Sequence, residues 1–564
     1  MDIKQEIKKL LEKVVGKPAE VDRPADLAFG DYTTSIAIKE KLDAGEIAKK
    51  LEENSLFEKV EAVNGFINFF LKSEHLLGNL ALILEQKEKY GSSDAGKGKT
   101  VVIDYSAPNI AKPFGVGHLR STIIGQAIYN IYKSQGYTAI GDNHLGDWGT
   151  QFGKLIYQIE LKIKNEKLKI KELDIEKLEK LYVEFHQQAK ENPKLEDEAR
   201  AWFKKLEDGN KEAKAIWQAC YDISIKEFDR IYSLLGIKID YALGESFYQD
   251  KMQAIFEEMK QKGIVEQSQG AWVVKFANDE LPTLPVIKSD GATTYFLRDL
   301  ATIQYRLNTW QPQLIIYEVG ADQSLHFRQL FKTAQMLGWN RVVFKHVAHG
   351  LMRSKTGKFS TRKGQTVHLE EVLEEAIAKA KEIIKQSETN QGLSETEKSQ
   401  LAQQVGIGAI KYNDLSQHHS KDIIFDWGKL LNLKGNSGPY LQYTYARCRS
   451  VLQKSGVKND AFRAFNENLT KQPLPLNNEE LNLLRQLVYF PELLQKAAAA
   501  FSPNLIANYV FALAQEFNLF YAKHYILQAD TKEQKEFRLA LTFAVGQIIK
   551  NGLTLLGIES PEKM

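Results

Sequence analysis

The segment Lys358-Phe359-Ser360-Thr361-Arg362-Lys363-Gly364 gathers three cations beside hydroxyls and a glycine. A basic loop of this make-up can close over a triphosphate and stabilise charge that develops during attack on phosphorus. A solvated surface loop has the same composition. Far upstream runs Ser106-Ala107-Pro108-Asn109-Ile110-Ala111-Lys112-Pro113-Phe114-Gly115-Val116-Gly117-His118. Pro108 and Pro113 stiffen this stretch, and Gly115 and Gly117 let a ligand approach the backbone closely. His118 and Lys112 add donors, and the helix expected next offers free N–H groups and a positive dipole end to phosphates. A tight turn capped by a histidine would read the same way.

The elements that must carry these loops follow from hydrophobic period. Thr100–Tyr105 reads as a strand, Leu119–Gln135 as a helix and Ala139 onward as a second strand. That is the βαβ signal of a doubly wound parallel sheet. Leu314–Val319, ending in Gly320, and 341–347 read as further strands around a helix at Leu325–Gly338. From about 160 to 235 the chain is helical and highly charged, with Ile175, Leu178, Tyr182 and Phe185 on one face. The expected architecture is therefore multidomain α/β. An α+β unit spans 1–95, with helices at 3–15 and 43–54 and strands at Lys59–Val63 and Phe66–Leu71. Gly91–Lys99 reads as a linker. A Rossmann-like domain spans 96–370 with a helical insertion at about 155–285, and a connecting helical region spans 371–430. An all-α region fills 431–564, where Pro491 should break the amphipathic stretch Leu481–Phe501. Residues 387–400 read as a polar hinge.

Composition removes several function classes. Of 564 residues, 75 are Lys or Arg and 72 are Asp or Glu, a net charge of +3 that argues against a polybasic nucleic-acid coat. Two cysteines, Cys220 and Cys448, exclude a disulfide scaffold and a four-cysteine zinc site. No metal site is expected, since His144 has no further ligand at metal spacing. The N-terminal stretch is charged throughout, unlike a signal peptide, and no apolar run approaches the ~20 residues of a membrane span. The expectation is a cytoplasmic protein with no membrane segment.

The pair of loops, a glycine turn ending in histidine after the first strand and a basic K-x-S-x-R-like loop after the last, resembles class I aminoacyl-tRNA synthetases. Further blocks are similar to the arginyl-tRNA synthetases in particular: Asn109–Pro113, Asn143-His144-Leu145-Gly146-Asp147-Trp148-Gly149-Thr150-Gln151-Phe152-Gly153, Tyr295-Phe296-Leu297-Arg298-Asp299-Leu300-Ala301, Gly438-Pro439-Tyr440-Leu441-Gln442-Tyr443 and the terminal Leu556–Met564. They span nearly the whole chain in the family order. Three features depart from the class pattern. Gly115 stands where the first signature begins with His, Phe359 stands where Met is common in the second, and Thr361-Arg362 replaces a Lys-Ser pair, with Lys363 one step on.

The resemblance implies an arginine–tRNA ligase that forms arginyl-adenylate from ATP and transfers arginine to the terminal adenosine of tRNA(Arg). It implies Mg²⁺ on the phosphates, activation that needs bound tRNA, and a monomer. Lys112, His118, Lys358, Arg362 and Lys363 are the implied catalytic groups. Gly115, Gly117, His118, Gly320, Asp322, Lys358 and Ser360 are the implied ATP contacts. Asn109, Tyr295, Asp299 and Gln323 would bind arginine, with Asp104 assisting. A carboxylate suits this substrate because guanidinium pairs best in a planar fork. Tyr295 and Asp299, four apart, share a helical face; without the resemblance Asp299 would read as a salt-bridge partner of Arg298. Phe66, Asn68, Tyr440, Tyr443 and Met564 are the implied tRNA contacts, since aromatics beside arginines stack unpaired bases. A nucleotidyltransferase of similar fold and a non-catalytic RNA-binding relative are the alternatives that the residues leave open.

Overall fold

Val101, Val102 and Ile103 have no exposed surface because the strand that carries them is covered on both faces, as parallel strands between helices must be. The structure is a computed structural model, described here for residues 3–24, 26–277, 280–354, 357–358, 368–387, 390–457 and 475–564. The first unit contains α1 (Ile3–Val15), β1 (Tyr32–Thr34), α2 (Ile36–Glu40), α3 (Ala44–Glu52), β2 (Phe57–Val63) and β3 (Phe66–Leu71). Its antiparallel sheet has the order β1-β3-β2. Helix α4 (Ser73–Gln86) follows. The expected linker at 91–99 is packed: Gly96 lies against the Tyr137 ring, and Ser93 donates to Gln135 at 2.8 Å.

The central sheet is built from β4 (Thr100–Asp104), α5 (Leu119–Ser134) and β5 (Thr138–Asp142). Helices α6 (Thr150–Glu166), α7 (Ile175–Glu191), α8 (Leu195–Glu207), α9 (Lys211–Leu235) and α10 (Met252–Gln261) then leave the sheet. The insertion is not purely helical. Strands β6 (Val265–Ser268), β7 (Ala271–Val274) and β8 (Leu284–Ile287) form a small antiparallel sheet within it. The chain returns through α11 (Tyr295–Trp310), β9 (Leu314–Gly320), α12 (Ser324–Met336) and β10 (Val343–His349). The parallel order is β10-β9-β4-β5. Ligands of such sheets bind at the carboxyl ends of the strands, where the 106–118 loop emerges after β4.

Strands β11 (Met352–Ser354) and β12 (Gly357–Lys358) pair antiparallel, and β11 pairs with β13 (Ile423–Phe425) beyond α13 (Leu369–Gln386) and α14 (Glu395–Leu415). The expected hinge is in part the start of α14. Ser394 caps it, Glu397 reaches back, and the two form a capping box. After α15 (Trp427–Leu430), the C-terminal region is helical: α16 (Gly438–Ser455), α17 (Asn478–Val488), α18 (Phe490–Ala500), α19 (Asn504–Lys523) and α20 (Lys532–Leu555). The break at Tyr489 places Pro491 in the first turn of α18, where its missing N–H costs nothing. Among the described residues no helix is long and apolar enough to cross a membrane.

Buried charges tie these parts together. Arg120 on α5 binds Asp414 on α14 at 3.0 Å, both with 1% side-chain exposure. Its Nη1 donates to the carbonyls of Gly350 (2.7 Å) and Lys421 (2.8 Å), and Nη2 donates to that of His419 (3.1 Å). Lys411 donates to the carbonyls of Leu235 and Gly557, joining the ends of α9 and α20. Burial pushes its ammonium down to about 8. Arg485 on α17 binds Asp31 of the first unit at 3.1 Å.

Candidate active site

The floor of the site is a buried ion cluster at the ends of β4 and β5. Arg306 on α11 has no exposed side-chain surface and reaches Asp104 at 2.6 Å and Asp142 at 2.7 Å. Burial pushes the Asp142 carboxyl up, with the Arg306 charge opposing and Asp104 adding to the rise. Asp104, expected to assist arginine binding, is 5% exposed, and its carboxylate is engaged with Arg306.

The loop after β4 is strained. Ser106, Ala107 and Ala111 all have positive φ (75°, 47° and 63°), a conformation that side chains disfavour and that surrounding structure must impose. Three side chains impose it. Ser121 Oγ accepts from the Ser106 N–H (3.0 Å), Asn143 Oδ1 from that of Ala107 (2.9 Å) and Ser224 Oγ from that of Ala111 (2.7 Å). Tyr232 on α9 bonds both Ser106 Oγ (2.8 Å) and Asn143 Nδ2 (2.9 Å). Backbone bonds then pair the loop with the second block, Gly146 N–H to Pro108 and Ile110 N–H to Gly146. A Cβ on Gly146 would lie 1.9 Å from Asn109 Oδ1, so glycine there lets Asn109, which is exposed, stand at the cleft edge.

His118 ends the glycine turn with its ring edge-on to Phe114 and its Nδ1 buried without a partner among the described residues. Burial pushes its imidazole down, with Lys112 and His349 adding to the fall. Gly117 is exposed and open. Lys112 lies 4.4 Å above the Tyr182 ring of α7, and burial lowers its ammonium against the pull of Glu179. Gly115 bridges to His368, just before α13, and Leu369 N–H donates to Phe114 at 2.8 Å. Lys358 pairs through its backbone with Arg353. The residues between β12 and His368, which include Ser360, Arg362 and Lys363, lie outside the described residues. The described chain on either side of them meets β11 and the glycine turn.

The face of α11 completes the cleft. Asp299 Oδ2 is 2.7 Å from His326 Nε2, and Oδ1 is 3.9 Å from His144 Nε2. Arg298 binds Glu245 at 2.9 Å and not Asp299. Glu245 was not singled out from the sequence. Burial pushes it up to about 7, with Arg298 opposing and Asp299 and Asp147 adding. Tyr295 is 65% exposed, and its hydroxyl would be 3.8 Å from a Cβ on Gly149. Thus the 143–149 block lies between Asn109 and α11. Gln323 is exposed at the end of β9 and donates to Asp322 at 3.3 Å. A Cβ on Gly320 would meet Asp322 Oδ1 at 2.5 Å. Below them Glu318, fully buried, holds His349 at 3.0 Å. Burial lowers the His349 imidazole, but Glu318 outweighs it and the net shift is upward.

Family models match the chain in three consecutive stretches. They are described as "Arginyl tRNA synthetase N terminal domain" (1–71), "tRNA synthetases class I (R), catalytic domain" (79–427) and "DALR anticodon binding domain" (441–564). The arginine–tRNA ligase of Halothermothrix orenii is 43% identical over 524 residues, 92% of this chain and 90% of its own length. That of Clostridioides difficile is 40% identical over 562 residues, 99% and 96%. The chain belongs to the arginine–tRNA ligases, a class I aminoacyl-tRNA synthetase family. The arginyl-tRNA synthetase structure from Plasmodium falciparum superposes with a TM-score of 0.84 at 26% identity, covering 100% of this chain and 99% of that one. The Thermus thermophilus enzyme shares the fold, at a TM-score of 0.81 and 22% identity, with full coverage of both chains.

A groove of about 640 Å³ between the DALR domain and the Asn390–Leu393 turn is lined by Tyr443, Arg447, Tyr521, Tyr525 and Met564, among others. Arg447 sits over the rings of Tyr443 (4.8 Å) and Tyr521 (5.0 Å). Tyr440, expected to contact tRNA, is half-buried, packs on Phe511 at 5.5 Å and accepts from Asn518 at 2.9 Å. Asn68 is 3% exposed and accepts from Thr33 at 2.7 Å. Phe66, at the tip of the β2–β3 turn, is exposed. Tyr521 and Tyr525 lie some 80 residues from Tyr443, so no local spacing marked them.

Proposed function

We propose that this chain couples L-arginine to tRNA(Arg) at the cleft between the 106–118 loop and α11. The arginine carboxylate attacks the α-phosphorus of ATP, releasing pyrophosphate and leaving arginyl-adenylate. The 2′-hydroxyl of the terminal adenosine then attacks the adenylate carbonyl and AMP departs. No side-chain nucleophile is required; positioning and charge stabilisation carry the reaction. Asp299, Tyr295 and Glu245 take the guanidinium, and Asn109 and Gln323 hold the amino-acid end. Gly115, Gly117, His118, Gly320 and Asp322 receive the nucleotide. Lys112, with Lys358, Ser360, Arg362 and Lys363, meets phosphate charge. The same reading has ATP entering as its Mg²⁺ complex, the metal belonging to that substrate, and the enzyme acting as a cytoplasmic monomer. Phe66 contacts the body of the tRNA, and Tyr443, Arg447 and Met564 contact its anticodon loop.

The observation that carries this reading is Asp299, a half-buried carboxylate without a Lys or Arg partner among the described residues. It stands beside an exposed tyrosine at the strand ends. Such a group is suited to a guanidinium brought by the substrate. Charging bulk tRNA with each amino acid in turn tests it. Arginine alone should be transferred, and transfer of any other amino acid in its place would refute the reading.

A further inference from the structure

The two oxygens of Asp299 are not equivalent. His326 lies in the first turn of α12, and its Nε2 stands 2.7 Å from Asp299 Oδ2. The imidazole is held edge-on between two rings, Phe296 at 6.1 Å and Phe327 at 5.5 Å. Phe296 precedes Asp299 by one turn on α11, so the same helix that carries the carboxylate also limits the ring that contacts it. Oδ1 has no hydrogen-bond partner among the described residues, His144 Nε2 standing 3.9 Å away, and the side chain keeps 26% of its surface exposed. Arg298, the neighbouring cation on α11, is taken by Glu245.

We propose that His326 is a positioning residue for arginine recognition, fixing Asp299 through Oδ2 so that Oδ1 is presented to the substrate guanidinium. This rests on the assignment of Asp299 to arginine made above. A free aspartate on a helix samples several rotamers and must be ordered when a ligand binds. One already bonded through Oδ2 needs little further ordering. A guanidinium has five N–H donors; contact through a single Asp299 oxygen leaves the others for Glu245 and Tyr295. Burial disfavours the His326 cation, but the bond and charge of Asp299 outweigh this and shift the imidazole upward. A carboxylate oxygen accepts, so the His326 nitrogen at 2.7 Å is the donor of this bond.

The test is steady-state kinetics of arginine-dependent, tRNA-dependent ATP–pyrophosphate exchange with the full chain, for wild type, His326→Leu, His326→Gln, His326→Asn and Asp299→Asn. Glutamine can place an amide N–H where Nε2 stands, and asparagine is too short. The expected result is an arginine KM raised about tenfold in the Leu and Asn variants, with the KM for ATP within about twofold. The Gln variant should remain within about threefold of wild type. An unchanged arginine KM in His326→Asn, while Asp299→Asn raises it, would overturn the proposal and leave the Asp299 assignment standing. An unchanged KM in Asp299→Asn would overturn that assignment itself. A Gln variant as impaired as Asn would show that ring packing, not the hydrogen bond, matters. If His326→Leu does not fold, the Gln and Asn pair decides alone.

Discussion

Replacing Arg120 by methionine should unfasten the catalytic domain from the helical region that follows it. The guanidinium makes bonds to both oxygens of Asp414, at 3.0 and 3.2 Å, and to three backbone carbonyls. Both side chains are 1% exposed, so water cannot replace what is removed. Stranding one member of a buried pair costs about 3–5 kcal/mol, or roughly two to three and a half powers of ten in the folding equilibrium. Arg120→Met/Asp414→Leu removes the stranded charge as well and should recover much of that loss, because an apolar replacement of a buried pair is often close to neutral. The three carbonyls lose their donor in both variants, so recovery stays incomplete. Urea unfolding followed by circular dichroism measures the three stabilities. Hydrogen exchange locates the change, with faster exchange expected around Gly350–Ser354 and Lys421–Phe425, which frame β11 and the strand carrying Lys358. A single variant within about 1 kcal/mol of wild type, or a double variant no better than the single, would refute this account of the joint.

Three further outcomes follow from the geometry. Glu245 is held up at about 7, so it loses its charge as pH falls through that value; kcat/KM for arginine should drop below pH about 7 in wild type, since this ratio reports the free enzyme. A Glu245→Gln variant should show a low, flat profile there, and a drop identical to wild type would contradict the assignment. Gly146→Ala drives a Cβ to 1.9 Å from Asn109 Oδ1; arginine kcat/KM should fall on the order of a hundredfold, as a displacement of about 1 Å at a positioned group can do, and near-normal kinetics would show that Asn109 is not in the amino-acid site. Arg447→Met removes the cation between Tyr443 and Tyr521. It should raise the KM for tRNA by about tenfold, within the range of lost base stacking, and leave the arginine KM unchanged; equal effects on both would place Arg447 outside tRNA recognition.

The parallel strands and the glycine turn that follows β4 were legible because their signals are local. Thr100–Asp104, Leu314–Gly320 and the helix after the glycine turn fall within a residue or two of where apolar runs placed them. The break at Pro491 was equally local. Residues whose role depends on a distant partner were not legible. Asp104 looked like a cleft carboxylate, and only Arg306, 202 positions away, shows it to be part of the floor. Asn68 and Tyr440 likewise have distant partners, Thr33 and Asn518, that no local spacing marks. Glu245 lies in an insertion whose charged helices give no hint that one carboxylate turns into the site. The small sheet of β6 to β8 has strands of four residues each, too short for a period of two to separate from noise. The Ser394–Glu397 capping box, by contrast, was a readable signal that the polarity of its surroundings obscured.

The central claim is that the carboxylate of Asp299 receives the substrate's guanidinium. Asp299→Asn removes the charge while keeping the shape. The arginine KM in tRNA-dependent pyrophosphate exchange reads the loss directly. A charge-assisted bond contributes about 1.5–3 kcal/mol, so KM should rise by about ten- to a hundredfold, with the KM for ATP held within about twofold. An unchanged arginine KM, or a change confined to ATP, would contradict the account.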